Sequence, residues 1–390
     1  MSTTREPAGG APHPAPGAEL GDGTRTVHAG LPAATPYAPP MPGPVFAAHY
    51  HLPGEVAGAP YAYGRESNPT WTALEEAIAA LESPGAAAEA VVFPSGLAAT
   101  TALLFGLARP GDAVVLPADG YQGLAMVRER LAAFGVEVRT APTAGDAQLA
   151  ALDDRVRVLW LETPSNPGLD VCDIRRLAAA ARARGAVTVV DNTLATPLGQ
   201  RPLELGADVA MASGTKAFSG HGDVLLGYAA TREAALATRL REWRTATGAI
   251  LGPMEAWLAH RGVATLQLRT QRQEAGARAV AEALRERPEV TGLRYPGLPD
   301  DPSHALAARQ MRGFGCVVSF TLPSREAAER FLAGLRIIGQ ATSFGGVRAT
   351  AERRGRWGGD PVPEGFIRLS AGIEDPGDLV ADVLQSLARL

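Results

Sequence analysis

Apolar positions return along this chain in two rhythms. Trp71, Leu74, Ile78 and Leu81 recur every three or four residues, which predicts the buried stripe of a helix with Glu75 and Glu76 outside it. Ser83-Pro84-Gly85 ends that pattern. Short apolar runs of strand length then alternate with helix-length segments. The runs predict strands at 90–93, 113–116, 136–140, 156–161, 187–190, 209–211 and 225–229, and helices at 97–107, 121–134 and 175–184. This alternation predicts an α/β fold, a mostly parallel sheet with helices on both faces.

A helical region follows at 253–287, and the rhythm changes after it. Strands at 316–322 and 366–370, with helices at 326–335 and 378–387, predict a smaller α+β unit. The boundary is expected near residue 255, within about ten residues either way. Residues 1 to about 23 are rich in Pro, Ala and Gly and read as a disordered tail. From 24 to 63 the chain stays Pro-rich and lacks periodicity, which reads as an extended arm lying on another surface, such as a neighbouring subunit. The expected division is tail and arm at 1–62, a large domain at 63–255 and a small C-terminal domain at 256–390.

Composition narrows the partners. At 390 residues the chain can hold two domains, and a net charge of -4 offers no basic surface for nucleic acid or an anionic membrane. No apolar run is long enough to span a bilayer, and the N-terminus carries no apolar signal core. The two cysteines, Cys172 and Cys316, have neither metal-ligand spacing nor a disulfide framework, so a cytoplasmic location is expected.

The candidate chemistry gathers at predicted strand ends. Ala212-Ser213-Gly214-Thr215-Lys216 puts a lysine behind a turn of small and hydroxyl residues. Such a turn suits pyridoxal phosphate (PLP), with the amine condensing with the aldehyde while Ser213 and Thr215 bond the phosphate. The amine must be partly neutral to attack, which needs a desolvated site. An exposed surface lysine is the competing reading of this motif alone. The strand at 187–190 runs into Asp191. Functional groups collect at the carboxyl ends of strands in open α/β sheets. An aspartate there can pair with the PLP ring nitrogen, or it caps the next turn. The lysine turn and the aspartate together favour the cofactor.

Other segments carry two readings each. Pro94-Ser95-Gly96-Leu97 joins a strand to a helix, so the Gly96 and Leu97 amides can take a phosphate, or the segment is an ordinary turn. Tyr121 can stack on a planar cofactor or serve as acid or base, or it is a half-buried turn residue. Asn166, between Pro164 and Pro167, can donate to the cofactor's phenolic oxygen, or sits in a Pro-rich turn. Arg368 inside an apolar strand needs an anion, either a substrate carboxylate or a structural partner. Dinucleotide, P-loop, zinc-protease and serine-hydrolase motifs do not occur.

The set resembles the Cys/Met-metabolism PLP enzymes, which include cystathionine γ-synthase, cystathionine γ-lyase, cystathionine β-lyase and methionine γ-lyase. The likeness runs from about Thr24 to the C-terminus. It rests on Tyr63-Gly64-Arg65-Glu66-Ser67-Asn68-Pro69-Thr70, Ser95-Gly96-Leu97-Ala98-Ala99, Glu162-Thr163-Pro164-Ser165-Asn166-Pro167, Asp191-Asn192-Thr193 and Ser213-Gly214-Thr215-Lys216. Tyr295-Pro296-Gly297-Leu298, Ser343-Phe344-Gly345-Gly346 and Arg368-Leu369-Ser370 complete it, and the final third is similar to actinobacterial proteins usually called cystathionine γ-lyase.

The resemblance implies the aspartate-aminotransferase-like fold (PLP-dependent transferase fold type I). It implies pyridoxal 5'-phosphate as cofactor, no metal, an amino-acid substrate and a homotetramer of two active dimers. Lys216 would be the Schiff-base lysine and proton shuttle, and Asp191 the partner of the ring nitrogen. Tyr121 would stack on the ring and act as an acid, and Asn166 would meet the phenolic oxygen. Gly96, Leu97, Ser213 and Thr215 would hold the phosphate. Tyr63 and Arg65 would reach the phosphate in a neighbouring subunit. Arg368 and the Ser343 backbone would hold the substrate carboxylate, with Asn166 and Tyr63 beside it.

Departures from the family bear on the substrate. Thr342 stands where members acting on cystathionine usually place Glu, Ala62 replaces a polar or charged residue, and Met126 replaces a basic one. These changes remove charge and suit an apolar thioether tail such as methionine's. Gly123, where methionine γ-lyases commonly carry cysteine, points the other way, and Glu66-Ser67 replaces the usual Ser-Gly at the subunit contact. The basic run Arg348, Arg353, Arg354 and Arg356, with Trp357, can line the entrance and take an acidic tail, or form a solvated loop. The expected activity is a carbon–sulfur γ-lyase acting on L-cystathionine and/or L-methionine, giving 2-oxobutanoate, ammonia and a thiol. Synthase-type γ-replacement on an O-acyl-homoserine shares every cofactor contact and stays open. A non-catalytic regulatory protein on this fold would be free to lose Lys216, Asp191 or Arg368, and all three are present.

Overall fold

The computed structural model describes residues 20–390, so most of the expected disordered tail lies outside the described residues. Seven strands build the larger sheet. They are β1 (Glu89–Phe93), β2 (Ala113–Pro117), β3 (Glu137–Ala141), β4 (Val156–Glu162), β5 (Val187–Asp191), β6 (Val209–Ala212) and β7 (Gly227–Thr231), in the order β1-β7-β6-β5-β4-β2-β3. Only β7 runs against its neighbours, so the sheet is mostly parallel, as its β-branched runs predict. Alternate residues of one strand feed two cores. Val114 meets Leu103, Leu131 and Leu240 on one face, while Val115 shares the other with Ile174 and Leu177. Both faces are therefore covered, and the carboxyl ends of the parallel strands open along one edge.

The smaller sheet holds β8 (Thr291–Arg294), β9 (Val317–Thr321), β10 (Gly339–Gln340), β11 (Thr350–Arg353) and β12 (Phe366–Ser370), ordered β10-β11-β12-β9-β8. Helices Arg325–Gly334 and Pro376–Leu387 cover it around Phe320, Phe331, Ile367, Leu379 and Val383.

Several expectations change. The 253–287 region is two helices, Pro253–Val263 and Leu266–Leu284. At the break Arg269 takes the Gly262 carbonyl at 2.8 Å, one of those a helix end leaves open. Ala256, Ala259 and Val263 pack with Trp71, Leu74 and Ile78, so the helix that holds residue 255 packs against the large sheet. The small core begins at Ala277 on the long helix. Glu75 is not a solvent-facing residue. Its Oε1 accepts from the Val92 amide at 3.0 Å and from buried Arg244 at 2.7 Å, on a helix, Ala234–Thr247, that the pattern did not reveal. The segment before residue 31 also has structure of its own. Helix Asp22–His28 packs on this same chain, with Asp22 accepting from Arg201 at 2.5 Å and Arg312 at 2.9 Å. Residues 31–60 then run without helix or strand and expose Tyr37, Phe46, Leu52 and Val56. Among the described residues no helix is long and apolar enough to cross a membrane.

One buried acid gives a test of this packing. Glu82 ends helix Pro69–Glu82 and accepts the Tyr228 hydroxyl from β7 at 2.7 Å. Burial pushes its carboxyl up to about 7, against the opposing pull of Tyr228 and Arg201. The folded chain thus holds a proton that the unfolded chain gives up at lower pH. The stability from that proton is full below the unfolded pKa and is lost as pH rises through about 7. Glu82→Gln should remove this slope and stabilise the protein by about 3 kcal/mol near pH 8, read from urea midpoints at acid and alkaline pH. Equal slopes in variant and parent would show that Glu82 does not titrate on unfolding.

Candidate functional site

The carboxyl edge of the large sheet and three segments of the small unit line a cavity of about 320 Å³. Gly96, Leu97, Tyr121, Asn166, Asp191, Ser213, Thr215, Lys216, Ser343 and Arg368 all line it. Each strand delivers its residue where the chain leaves the sheet, which is where an open α/β sheet leaves room for a ligand.

β6 ends at Ala212 and β7 returns beside it, so residues 213–226 form one wide connection. The Leu226 amide donates to Thr215 Oγ1 at 2.9 Å, and the Thr215 amide donates back to Leu226 O at 3.1 Å. Arg269 holds the Ala217 carbonyl at 2.6 Å and that of Phe218 at 3.2 Å. This bracing fixes the lysine. Its Nζ donates to Ser343 Oγ at 2.9 Å and lies 5.4 Å from the Phe344 ring centre. Burial, then the Arg368 cation, pushes the amine down to about 8, while Asp191 and Glu352 oppose. A much larger share of the amine is therefore neutral than on an exposed lysine, as nucleophilic attack requires.

Opposite this turn lies the start of helix Gly96–Leu107. Ser95 Oγ accepts the Ala98 amide at 3.1 Å and Ser95 O the Ala99 amide at 3.2 Å. The amides of Gly96 and Leu97 remain at the helix end. A Cβ on Gly96 would sit 2.7 Å from Ser213 Cβ, so only glycine lets the helix end approach the lysine turn this closely. Ser213 Oγ makes no hydrogen bond among the described residues. Thr215 Oγ1 also donates to Leu226 O at 3.2 Å, so Ser213 is the freer hydroxyl.

Asp191 and Glu162 end neighbouring strands in register. Asp191 Oδ1 accepts from the Thr193 amide at 3.0 Å and hydroxyl at 2.5 Å, and the second oxygen is left to the cavity. Burial pushes its carboxyl up, with the Thr193 bonds and Lys216 pulling back. Glu162 is pushed well up too, first by burial and then by the Asp191 charge. Its Oε2 accepts the Tyr121 amide at 2.7 Å and its Oε1 the Asn166 amide at 2.8 Å. One buried carboxylate thus ties two site loops together. The sequence reading missed it, although an acid closing the apolar run of β4 was a visible signal. The same bond explains why the helix expected at 121–134 begins only at Leu124. The Tyr121 ring lies over Gly123, where a Cβ would come within 2.3 Å of Tyr121 Cε1.

Arg368 sits on β12, where Nη1 donates to Asn166 Oδ1 at 2.7 Å and Nη2 to Ser343 O at 3.2 Å. The Asn166 Nδ2 is thereby turned toward the cavity. Burial, then nearby Arg354, pushes the guanidinium down to about 10. Ser343 has φ of +80°, a strained conformation for a serine, and in it the hydroxyl meets Lys216 while the carbonyl meets Arg368. Arg368 Nη2 also donates to Glu352 at 2.5 Å.

The basic run is not a solvated loop. Arg353 and Arg354 are buried because acids meet them, Glu364 at 2.7 Å for Arg353, and Glu352 at 2.9 Å and Asp360 at 2.5 Å for Arg354. Arg354, Trp357 and Thr342 line the cavity, while Arg348 is exposed. Tyr63 and Arg65 are not brought to it. Both are exposed, and Arg65 donates to Thr245 O at 3.1 Å. Met126 is exposed as well and does not line the cavity.

These residues fit pyridoxal phosphate. The Gly96 cradle offers two free amides and a free hydroxyl to an anion, Asp191 keeps an oxygen for a cationic ring nitrogen, and the depressed Lys216 amine suits an aldehyde. The family model for the Cys/Met metabolism PLP-dependent enzymes matches residues 44–388. A Streptomyces coelicolor protein provisionally named cystathionine gamma-lyase is 67% identical over 368 residues, covering 94% of this chain and 93% of that one. A cystathionine gamma-synthase of Mycobacterium tuberculosis is 40% identical over 379 residues, 94% of this chain and 97% of its own. The crystal structure of an apo methionine gamma lyase from Micromonospora echinospora superposes with a TM-score of 0.87 at 40% identity, covering 94% of this chain and 99% of that one. The mixed sheet and its smaller partner are accordingly the fold type I architecture. On sequence, fold and the fit of its cavity, this chain belongs to the Cys/Met metabolism PLP-dependent enzymes and takes pyridoxal phosphate as its cofactor.

Proposed function

We propose that the protein is a carbon–sulfur γ-lyase acting on L-cystathionine and/or L-methionine, releasing 2-oxobutanoate, ammonia and a thiol. The observation that carries the reading is one cavity into which Lys216, Asp191 and the Arg368–Asn166 pair all open. Relatives named for γ-lyase activity support it. When bound, pyridoxal phosphate stores in its ring the charge left on the substrate's α-carbon.

The chain's own groups do the rest. The Gly96 and Leu97 amides and the Ser213 hydroxyl would hold the phosphate, with Thr215 behind them. Asp191 would pair with the ring nitrogen and keep it protonated, Tyr121 would lie against the ring, and Asn166 Nδ2 would donate to the phenolic oxygen. Arg368 and Ser343 hold the substrate carboxylate. Lys216 Nζ takes the α-proton and moves protons along that face. Lys216 Nζ would also take a β-proton, whose bonding pair forms the double bond between the β- and γ-carbons as the carbon–sulfur bond breaks. That bond's pair goes to sulfur, Tyr121 Oη would give the sulfur its proton, and water then releases 2-oxobutanoate and ammonia. Glu352, the acid beside Thr342, is engaged by other donors, so no free carboxylate waits for a distal ammonium. That wall suits methionine's apolar tail.

Tyr63 and Arg65 reach the phosphate of a second copy in a homotetramer of two active dimers, which accounts for their exposure in a single chain. The free, buried cysteines fit a reducing cytoplasm. A synthase reading keeps weight because relatives of that name match as well as the methionine γ-lyases do.

Purified, cofactor-supplemented protein should form 2-oxobutanoate from L-methionine or L-cystathionine alone. Lys216→Ala should lower that rate by about a thousandfold or more and abolish the visible absorption of lysine-bound cofactor. Turnover of O-succinyl-homoserine only in the presence of cysteine would move the protein to the synthases. Gly96→Ala forces the helix end away from Ser213, and cofactor retained after dialysis should fall about tenfold in affinity. Gly123→Ala displaces the half-exposed Tyr121 ring. It should cut kcat about tenfold with the thermal midpoint unchanged, and an unchanged kcat would remove Tyr121 from the proton-transfer role.

A further inference from the structure

Glu352 belongs to no motif and to no role assigned so far, yet among the described residues its side chain accepts from five donors. It faces Arg368 directly across the β11–β12 ladder. Its side chain is 1% exposed, and those of Arg368 and Arg354 are each 3% exposed. Oε1 accepts from Arg368 Nη2 at 2.5 Å, Arg354 Nη1 at 2.9 Å and Thr342 Oγ1 at 3.2 Å. Oε2 accepts from Arg356 Nη2 at 3.0 Å and Trp357 Nε1 at 2.9 Å. A carboxylate offers about four lone-pair directions, so this one is saturated.

The charges around it do not balance. Arg354, Arg356 and Arg368 meet only Glu352 and Asp360, which leaves one positive charge over beside the cavity. Arg368 also keeps its Nε hydrogen and one on Nη1 without a partner among the described residues. The arrangement has room for one further anion at Arg368. A guanidinium on a flexible stem would otherwise sample many directions, and an opposed, buried carboxylate removes that freedom.

We propose that Glu352 is a positioning residue. It aims Arg368 into the cavity and locks that arginine to the wall of Thr342, Arg354 and Trp357, so the carboxylate anchor and the tail wall move as one piece. The proposal rests on Arg368 being the anchor for the substrate carboxylate. It also gives Arg354 and Arg356 of the basic run a role, since both hold Glu352 from the far side.

The test uses cofactor-loaded protein and two amines, with binding followed by the change in visible absorption. L-Norleucine carries the α-carboxylate and no γ-sulfur, and n-pentylamine is the same chain without the carboxylate. Glu352→Gln keeps the shape and one acceptor and loses the charge. It should weaken L-norleucine about tenfold or more while n-pentylamine stays within about twofold. With sulfur substrates KM should rise and kcat change little. Glu352→Asp keeps the charge and should recover part of the loss, and it carries the same test should Glu352→Gln fail to fold. Equal weakening of both amines would make Glu352 a structural prop, and no change in either would make it irrelevant. Either result overturns the proposal. Arg368→Gln, measured alongside, separates the two readings. If it binds L-norleucine as the parent does, the anchor reading itself has failed. If it alone loses affinity, only the role of Glu352 falls.

Discussion

A charged group withdrawn from water must be met by a partner, and the interior of this protein is organised by that requirement. Lys216, Asp191, Glu162, Arg368, Arg354 and Glu352 are all shielded from solvent around one cavity. Left alone, each would cost several kcal/mol. Together they cross-link the carboxyl edge of the large sheet to the small one. Arg368 on β12 grips Asn166 from the loop after β4, and Lys216 from the loop after β6 grips Ser343. The cavity is thus the seam between two sheets, held together by the same buried groups that line it.

The direction of the strands makes that seam possible. Strands that run the same way end on the same edge, so residues far apart in sequence converge without unusual backbone. The exception, β7, turns the lysine segment into a connection between neighbouring antiparallel strands. A backbone hydrogen bond, a bond from the Leu226 amide to the Thr215 hydroxyl, and Arg269 then brace the segment. Lys216 is held rigidly enough to stay near both Asp191 and Ser343.

Much of this was legible in the sequence, for identifiable reasons. Long apolar runs such as 156–161 marked the central strands, and the lysine turn, the aspartate strand end and the asparagine loop pointed through local patterns to residues that line one cavity. What escaped was non-local. Glu75 looked like a surface residue because its partner, Arg244, lies 169 positions away. Glu162 and Glu352 were passed over because their value lies in whom they meet across the fold. The arginine run resembled a solvated loop because nothing in sequence order reveals that Glu352, Asp360 and Glu364 fold back onto it. β8, β10 and β11 are short and rich in polar residues or glycine, so period counting had little to act on.

Asp22 adds a consequence at the other end of the chain. Its carboxylate joins Arg201, which follows the large sheet's fifth strand, to Arg312, which precedes β9 of the small sheet. The short helix that carries it is therefore a clasp between the segment after the fifth strand and the segment before β9. Trimming the chain past residue 22 would remove that clasp while leaving every cavity residue in the sequence, so the two segments would be held together by their other contacts alone.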